Sequence, residues 1–329
     1  MHITTENQTY TIYGLHHHPQ GDGMGNGGVS QFVRYITKHL NIESVNYSES
    51  IDERATANSI WIVNSADIIP EELYQTYAII LTVRGMNIHI AKQQGNHHIG
   101  LDVQLQHRAL SRSKERRGIG AKLYSVATSK QVSLIMKEHI GFEADKVIMN
   151  PIDIGDFKPA LNRKPGDVLV IGGRFFHRNK GAHIAHYLRE QLPHHKFIIR
   201  EMNDIKPSDR RAYYQGLDMW LGLSLSEGFG YCAGEAMSCN IPLVSTDAGF
   251  LGCNPELNDY HIGNIFSAEQ MKENTPIETR VTFLIEQLNN MYDRIHSGEV
   301  FNGRDYVKAY LNITRWKRAW TGLLKGVTE

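Results

Sequence analysis

Apolar runs of strand length alternate with amphipathic stretches of helical period along almost the whole chain, and that alternation admits few architectures. Segments 9–15, 59–64 (SIWIVN), 77–83 (YAIILTV), 122–127 and 146–149 read as strands. Segment 29–40 reads as a helix, with Phe32, Val33 and Ile36 at helical spacing. The runs at 59–64 and 77–83 are almost wholly apolar, as strands buried on both faces of a parallel sheet require. The pattern breaks at Asn150-Pro151. Segment 151–167 carries Pro151, Pro159 and Pro165 and reads as a linker. A second series opens at 168–173 and continues with strands at 196–200, 219–224 and 242–246. A long helical pattern covers 276–296, and another covers 303–324 with Trp316 and Trp320 on one face. Two strand–helix series joined by a linker predict an α/β protein of two Rossmann-like halves. Ligands in such sheets bind beyond the carboxyl ends of the strands, so a cleft between two facing halves is the expected site.

A length of 329 residues suits two domains. The 35 basic side chains balance the 35 acidic ones, which argues against a globally basic nucleic-acid binder. No apolar run reaches the ~18 residues of a membrane span. Residues 1–9 are polar and lack the charged and apolar regions of a signal peptide. Cys232, Cys239 and Cys253 form no C-x-x-C pair, so neither a disulfide framework nor a zinc knuckle is expected. These features predict a reduced, cytoplasmic protein. The adjacent histidines at 16–18, 97–98 and 194–195 read as loop residues, because neighbours on a strand face opposite sides and rarely chelate one metal.

The stretch 224–249, SLSEGFGYCAGEAMSCNIPLVSTDAG, carries the most chemistry. Glu227 and Glu235 stand with seven residues between them. Gly228 and Gly230 flank Phe229 just after a predicted strand, and a helix is expected to begin near Tyr231. The glycines let backbone amides approach a ligand, and a helix N-terminus favours an anionic group. Carboxylates at a strand's end and one turn into a helix suit paired hydrogen bonds to vicinal hydroxyls, as on a ribose or a hexose. Earlier in the same half, Gly172-Gly173-Arg174 is followed by Lys180-Gly181. Two cations beside an open backbone suit a diphosphate, arginine as a two-pronged donor and lysine as a point charge. A third glycine-rich segment, 21–32 (GDGMGNGGVSQF), lies between a predicted strand and helix and is a candidate phosphate cradle. There is no D-x-D triplet, so arginine and lysine are expected to take the place of a metal at the diphosphate.

Together these motifs resemble the donor-binding signature of retaining glycosyltransferases with the GT-B fold, of the GT4 (group 1) family, usually written EGFG…EAMACG.PVV.T..GG. The matching residues are Glu227, Gly228, Phe229, Gly230, Glu235, Ala236, Met237, Pro242, Thr246 and Gly249. Asn240 stands where the family usually has glycine, and asparagine also tolerates the left-handed conformation at a helix end. Phe250 replaces the second glycine of the usual pair. Asn150-Pro151-Ile152-Asp153 resembles the family's interdomain hinge.

The resemblance implies two Rossmann-like domains facing each other across a cleft: an acceptor domain at 1–156 and a donor domain at 157–305. A C-terminal helix at 306–329 would pack back on the first. It implies that Glu235 holds the donor's ribose and Glu227 the donor sugar's hydroxyls. Arg174 and Lys180 would neutralise the departing diphosphate. Backbone at Gly173, Phe229-Gly230 and the Gly27-Gly28 turn would add hydrogen bonds. No cofactor or metal is implied beyond the nucleotide-sugar substrate. Retention is expected through front-face substitution, with the leaving phosphate acting as base. Arg84 stands where many members have histidine, with His89 five residues on, and either residue could contact sugar or acceptor. A basic cluster with Arg108, Arg112, Arg116 and Arg117 offers a grip on an anionic membrane surface or on nucleic acid. Three other readings compete: an enzyme of the same fold with different chemistry, such as a nucleotide-sugar epimerase or a phosphorylase, a catalytically silent sugar-nucleotide-binding subunit, and a glycosyltransferase acting on nucleic acid.

Overall fold

The computed structural model describes the chain except residues 7, 17–27, 47–50, 65–68, 85–100, 119–121, 162–163 and 204. Two units emerge. One comprises Met1–Ile88, His98–Asn150 and Thr314–Glu329, and the other is built on Pro151–Ile313.

The first unit holds a largely parallel sheet. β1 (His2–Thr4) runs antiparallel to β2 (Thr9–His16). Helix α1 (Gly28–Leu40) follows, then β3 (Glu43–Asn46), β4 (Ser59–Asn64) and β5 (Ala78–Val83). After α2 (Leu101–Gly118) come β6 (Leu123–Ala127), α3 (Lys130–Ile140) and β7 (Lys146–Val147). The parallel strands lie in the order β3-β2-β4-β5-β6-β7. Every residue of β4 and β5 is buried, which is why both read as apolar runs rather than alternations. α1 turns Phe32, Val33 and Ile36 inward. Ser129 caps α3 by accepting from Val132 N at 3.2 Å, and Gly141 closes it at φ 85°. A helix at Ile313–Thr328 belongs to this unit. Its Trp316 and Trp320 pack on Phe32, with ring centroids 6.3 and 5.7 Å away.

The basic segment after residue 100 folds as α2. Sequence periodicity hides it, because its buried positions include Gln106 and Ser113 beside Leu110. No helix among the described residues is long and apolar enough to cross a membrane.

The second unit has a five-stranded sheet that is parallel throughout. Its elements are β8 (Leu169–Gly173), α4 (Ala182–Gln191), β9 (Phe197–Glu201), α5 (Arg210–Gln215) and β10 (Met219–Gly222). They continue with α6 (Tyr231–Ser238), β11 (Leu243–Thr246), β12 (Gly263–Phe266), α7 (Ile277–His296) and α8 (Gly303–Tyr310). Strand order is β12-β11-β10-β8-β9. Ile171, Leu221 and Val244 from the sheet pack with Ile184 and Leu188 of α4 and Leu284 and Leu288 of α7. Burying a side chain of this size contributes about 1.5–3 kcal/mol. The chain leaves β8 to one side for β9 and to the other for β10. The ends of β8 and β10 therefore flank a topological switch point, where open parallel sheets leave a crevice.

Asn240 adopts φ 56°, the left-handed turn expected where glycine is usual. It adds a contact glycine cannot make: its Oδ1 accepts from Arg304 N at the start of α8, at 3.0 Å. The Arg304 guanidinium in turn donates to the carbonyls of Ile154, Phe157 and Ser238. The proline-bearing segment after Asn150 is thereby fastened to α6 and α8.

Candidate functional site

Both glycine-flanked motifs of the second unit emerge at its switch point. β8 ends at Gly173, whose N–H donates to Tyr213 Oη at 3.1 Å. Arg174 comes next, its guanidinium 4.6 Å from the centre of the Phe176 ring. A short 3-10 turn, Arg178–Lys180, then leads into α4 through Gly181 at φ 74°. A Cβ on Gly181 would stand 2.5 Å from Leu223 Cβ, so glycine is needed for both conformation and approach. That closeness lets the turn be stitched to the loop after β10. Leu225 N donates to Asn179 O at 2.9 Å, and Asn179 Nδ2 donates to Ser226 O at 3.1 Å.

The stitching brings Lys180 and Glu227 together. Lys180 Nζ donates to Glu227 Oε1, and Ser224 Oγ donates to the same oxygen at 2.7 Å. Thr246 fastens the loop from below, its hydroxyl donating to Ser224 O at 2.6 Å. Gly230, at φ 95°, opens α6, and among the described residues no side chain caps that helix. The positive end of the helix lies at this start, where a helix favours an anionic group. Phe229 is buried against Phe250, ring centroids 5.1 Å apart, and Phe250 stacks on Tyr306. Phe250 at the second-glycine position therefore fills space behind the loop.

Glu235 lies one turn into α6 and is 1% exposed. Tyr214 Oη donates to its Oε2 at 2.8 Å, and Arg210 Nη1 stands 3.6 Å from its Oε1. Burial, then the neighbouring Cys232 thiol and Glu235 carboxylate, push the Tyr214 phenol well above its ordinary value. Tyr214 therefore stays protonated and donates. The Cys232 thiol sits in the field of these groups. Burial raises it first, Glu235 and Glu227 raise it further, and Arg174 and Lys180 lower it. Two carboxylates and two cations on the loops and helix at the switch point suit a ligand that carries both hydroxyls and phosphates.

Tyr214, Arg210, Asn179 and Ser224 are missing from the sequence-derived site. Ser224 precedes Glu227 by three residues and was the one within reach of local spacing.

Of the remaining expected residues, Gly28, Arg84 and the arginines of the basic cluster lie in the first unit. Gly28 is the first residue of α1, while Gly27 and His89 fall outside the described residues. Arg84 lies over the Phe32 ring, 4.3 Å from its centroid. The arginines of the basic cluster are largely engaged. Arg112 and Arg116 pair with Glu71 and cover the Tyr74 ring, while Arg117 pairs with Asp145. Arg108 is exposed.

No protein-family model matches the sequence, and none of the curated proteins does. Solved structures match it over nearly its whole length. Sucrose-phosphate synthase from Thermosynechococcus elongatus matches with a TM-score of 0.73 and 14% identity, over 97% of this chain and 99% of that one. Anabaena Alr3699/HepE in complex with UDP and glucose matches at 0.66 and 13% identity, over 96% of this chain and 100% of that one. The pneumococcal O-GlcNAc transferase GtfA in complex with UDP and GlcNAc matches at 0.54 and 13%, over 91% of this chain and 60% of that one. At such identities the likeness is one of fold. The chain shares the two Rossmann-like α/β domains of GT-B proteins.

Proposed function

We propose that this chain is a retaining, metal-independent glycosyltransferase of the GT4 type, moving a sugar from a nucleotide-diphosphate sugar to a hydroxyl acceptor. The observation that carries the proposal is the pairing of Lys180 with Glu227 beside the ends of β8 and β10, with Arg174 directly after β8 and Glu235 buried in the helix that follows β10, at the switch point of a parallel sheet. Glu235, fixed by Tyr214, accepts from the ribose hydroxyls. Glu227 accepts from hydroxyls of the transferred sugar. Arg174, Lys180 and the N–H groups opening α6 meet the diphosphate. In the transfer, the bond from the anomeric carbon to the diphosphate oxygen breaks, and its electron pair leaves with the diphosphate. The acceptor oxygen bonds to the same face of that carbon, and its proton passes to the departing phosphate oxygen. Charge grows on the diphosphate as the bond breaks, so cations placed there beforehand stabilise the transition state more than the bound donor. Positioning supplies the rest.

HepE and GtfA were solved with UDP, so UDP heads the panel of nucleotides to test. Calorimetric titration of UDP, GDP, ADP, CMP and dTDP in EDTA, on the wild type and Glu235→Ala, tests the proposal. One nucleotide should bind in EDTA and lose at least tenfold in affinity with the variant, about 1.4 kcal/mol. If no nucleotide binds the wild type, the donor reading fails. Binding that appears only after a divalent cation is added removes metal independence.

A further inference from the structure

Lys180 and Glu227 are assigned to different parts of the donor, yet the structure pairs them with each other. Lys180 is the cation for a phosphate, and Glu227 is the acceptor for sugar hydroxyls. Their side chains are 21% and 24% exposed, so the pair is partly shielded from solvent. Backbone movement cannot easily separate them. The turn bearing Lys180 is fastened to the loop bearing Glu227 through both the main chain and the side chain of Asn179. Ser224 holds Glu227 from the other side. Any phosphate that reaches Lys180 therefore meets a carboxylate already sharing that ammonium, and two anions around one cation repel.

What the ligand carries beyond its phosphates then decides the balance. A sugar nucleotide brings hydroxyls that donate to Glu227 and replace the lysine it gives up. A free nucleoside diphosphate brings the negative charge and no such donors. We infer that the Lys180–Glu227 pair is a discriminating element that disfavours the free nucleoside diphosphate relative to the intact sugar nucleotide. After transfer, the sugar leaves Glu227, the carboxylate reclaims Lys180, and the product diphosphate is released faster. This inference rests on the donor-site reading above.

The test is calorimetric affinity for a nucleoside diphosphate and for its glucose conjugate, in the wild type, Glu227→Gln, Lys180→Met and the double variant. UDP and UDP-glucose are the first probes. Glu227→Gln should bind UDP about two- to fivefold more tightly than the wild type, the range expected for releasing a cation from a partly exposed ion pair. The same variant should bind UDP-glucose no more tightly than the wild type. The gain for UDP should vanish when Lys180→Met is the background. Glu227→Ala should shift UDP in the same direction, and matching circular dichroism spectra establish that each variant is folded. Unchanged or weaker UDP binding by Glu227→Gln overturns the inference and leaves the donor reading standing. A gain that persists without Lys180 also overturns it, since simple removal of a negative charge would then be the cause. If neither the wild type nor any variant binds any nucleotide of the wider panel, the donor reading itself falls.

Discussion

Replacing Tyr214 with phenylalanine removes one oxygen and little else. The ring of Tyr214 packs among Phe157, Tyr213 and Trp220, with centroids 5.6, 5.5 and 5.6 Å away, and phenylalanine keeps all three contacts. What is lost is the 2.8 Å hydrogen bond to Glu235 Oε2. Met202 Sδ stands 3.5 Å from the same hydroxyl, but a thioether is a weak acceptor and the carboxylate takes the proton. A hydrogen bond to a charged group is worth about 1.5–3 kcal/mol. Arg210 stands 3.6 Å from the other carboxylate oxygen and keeps part of the charge compensated, which places the loss in the lower half of that range. At about 2–4 °C per kcal/mol for a unit of this size, Tyr214→Phe should lower the unfolding midpoint by about 3–9 °C. Thermal unfolding of the wild type, Tyr214→Phe, Glu235→Gln and the double variant reads this directly. The cost of Tyr214→Phe should fall by more than half in the Glu235→Gln background, because the charge-assisted part of the bond is already gone. An equal cost in both backgrounds would refute the claim that Tyr214 acts through the Glu235 carboxylate. A midpoint change below about 1 °C would refute the hydrogen bond's contribution.

Gly181→Ala places a methyl 2.5 Å from Leu223 Cβ at φ 74°, and it should cost about 1–3 kcal/mol in urea unfolding. A loss under about 0.5 kcal/mol would show that the turn yields without strain. His183 supplies a pH dependence. Burial, then Arg280 and Arg178, lower its imidazole below the ordinary 6.5, and its Nε2 accepts from Arg280 Nη1 at 3.1 Å. Folding thus favours the neutral ring. Its contribution to stability is complete above pH 6.5 and is lost as pH falls from there through the lowered value in the folded state. His183→Asn should flatten the decline of the unfolding midpoint across that acid window, and an unchanged slope would discount the residue.

The strands buried on both faces are the plainest in the sequence. Ser59–Asn64 and Ala78–Val83 are apolar runs between polar residues, and nothing else of that length competes for the assignment. β12, Gly263–Phe266, escapes because four half-buried residues at a sheet edge carry no periodic signal. α2 escapes for the opposite reason: it is long, but its inward face includes glutamine and serine, so its charges dominate the reading. The site divides along similar lines. Glu227, Glu235, Arg174 and Lys180 are legible because charged residues at fixed distances from glycines imply a ligand chemistry. Tyr214 and Arg210 are not, because they reach Glu235 from α5, 21 and 25 positions earlier, across the sheet's connections. Asn179 is hidden because its partners, Leu225 and Ser226, are distant in sequence and the contacts are to backbone, which leaves no mark on the partner residues.

The helix that lays Trp316 and Trp320 against Phe32 changes the order in which the chain can mature. The first unit draws on residues at both ends of the intervening second unit. During synthesis the segment up to Asn150 leaves the ribosome first, with its sheet but without those tryptophans. The second unit, built on Pro151–Ile313, has all of its strands before the helix exists. Vectorial folding usually finishes the leading domain first, and here it finishes the trailing one. Until Ile313–Thr328 is made, Phe32 and the face of α1 around it are open to water and to other chains. The nascent protein therefore passes through a stage at which its second unit has all its strands and its first still lacks the tryptophans that cover Phe32.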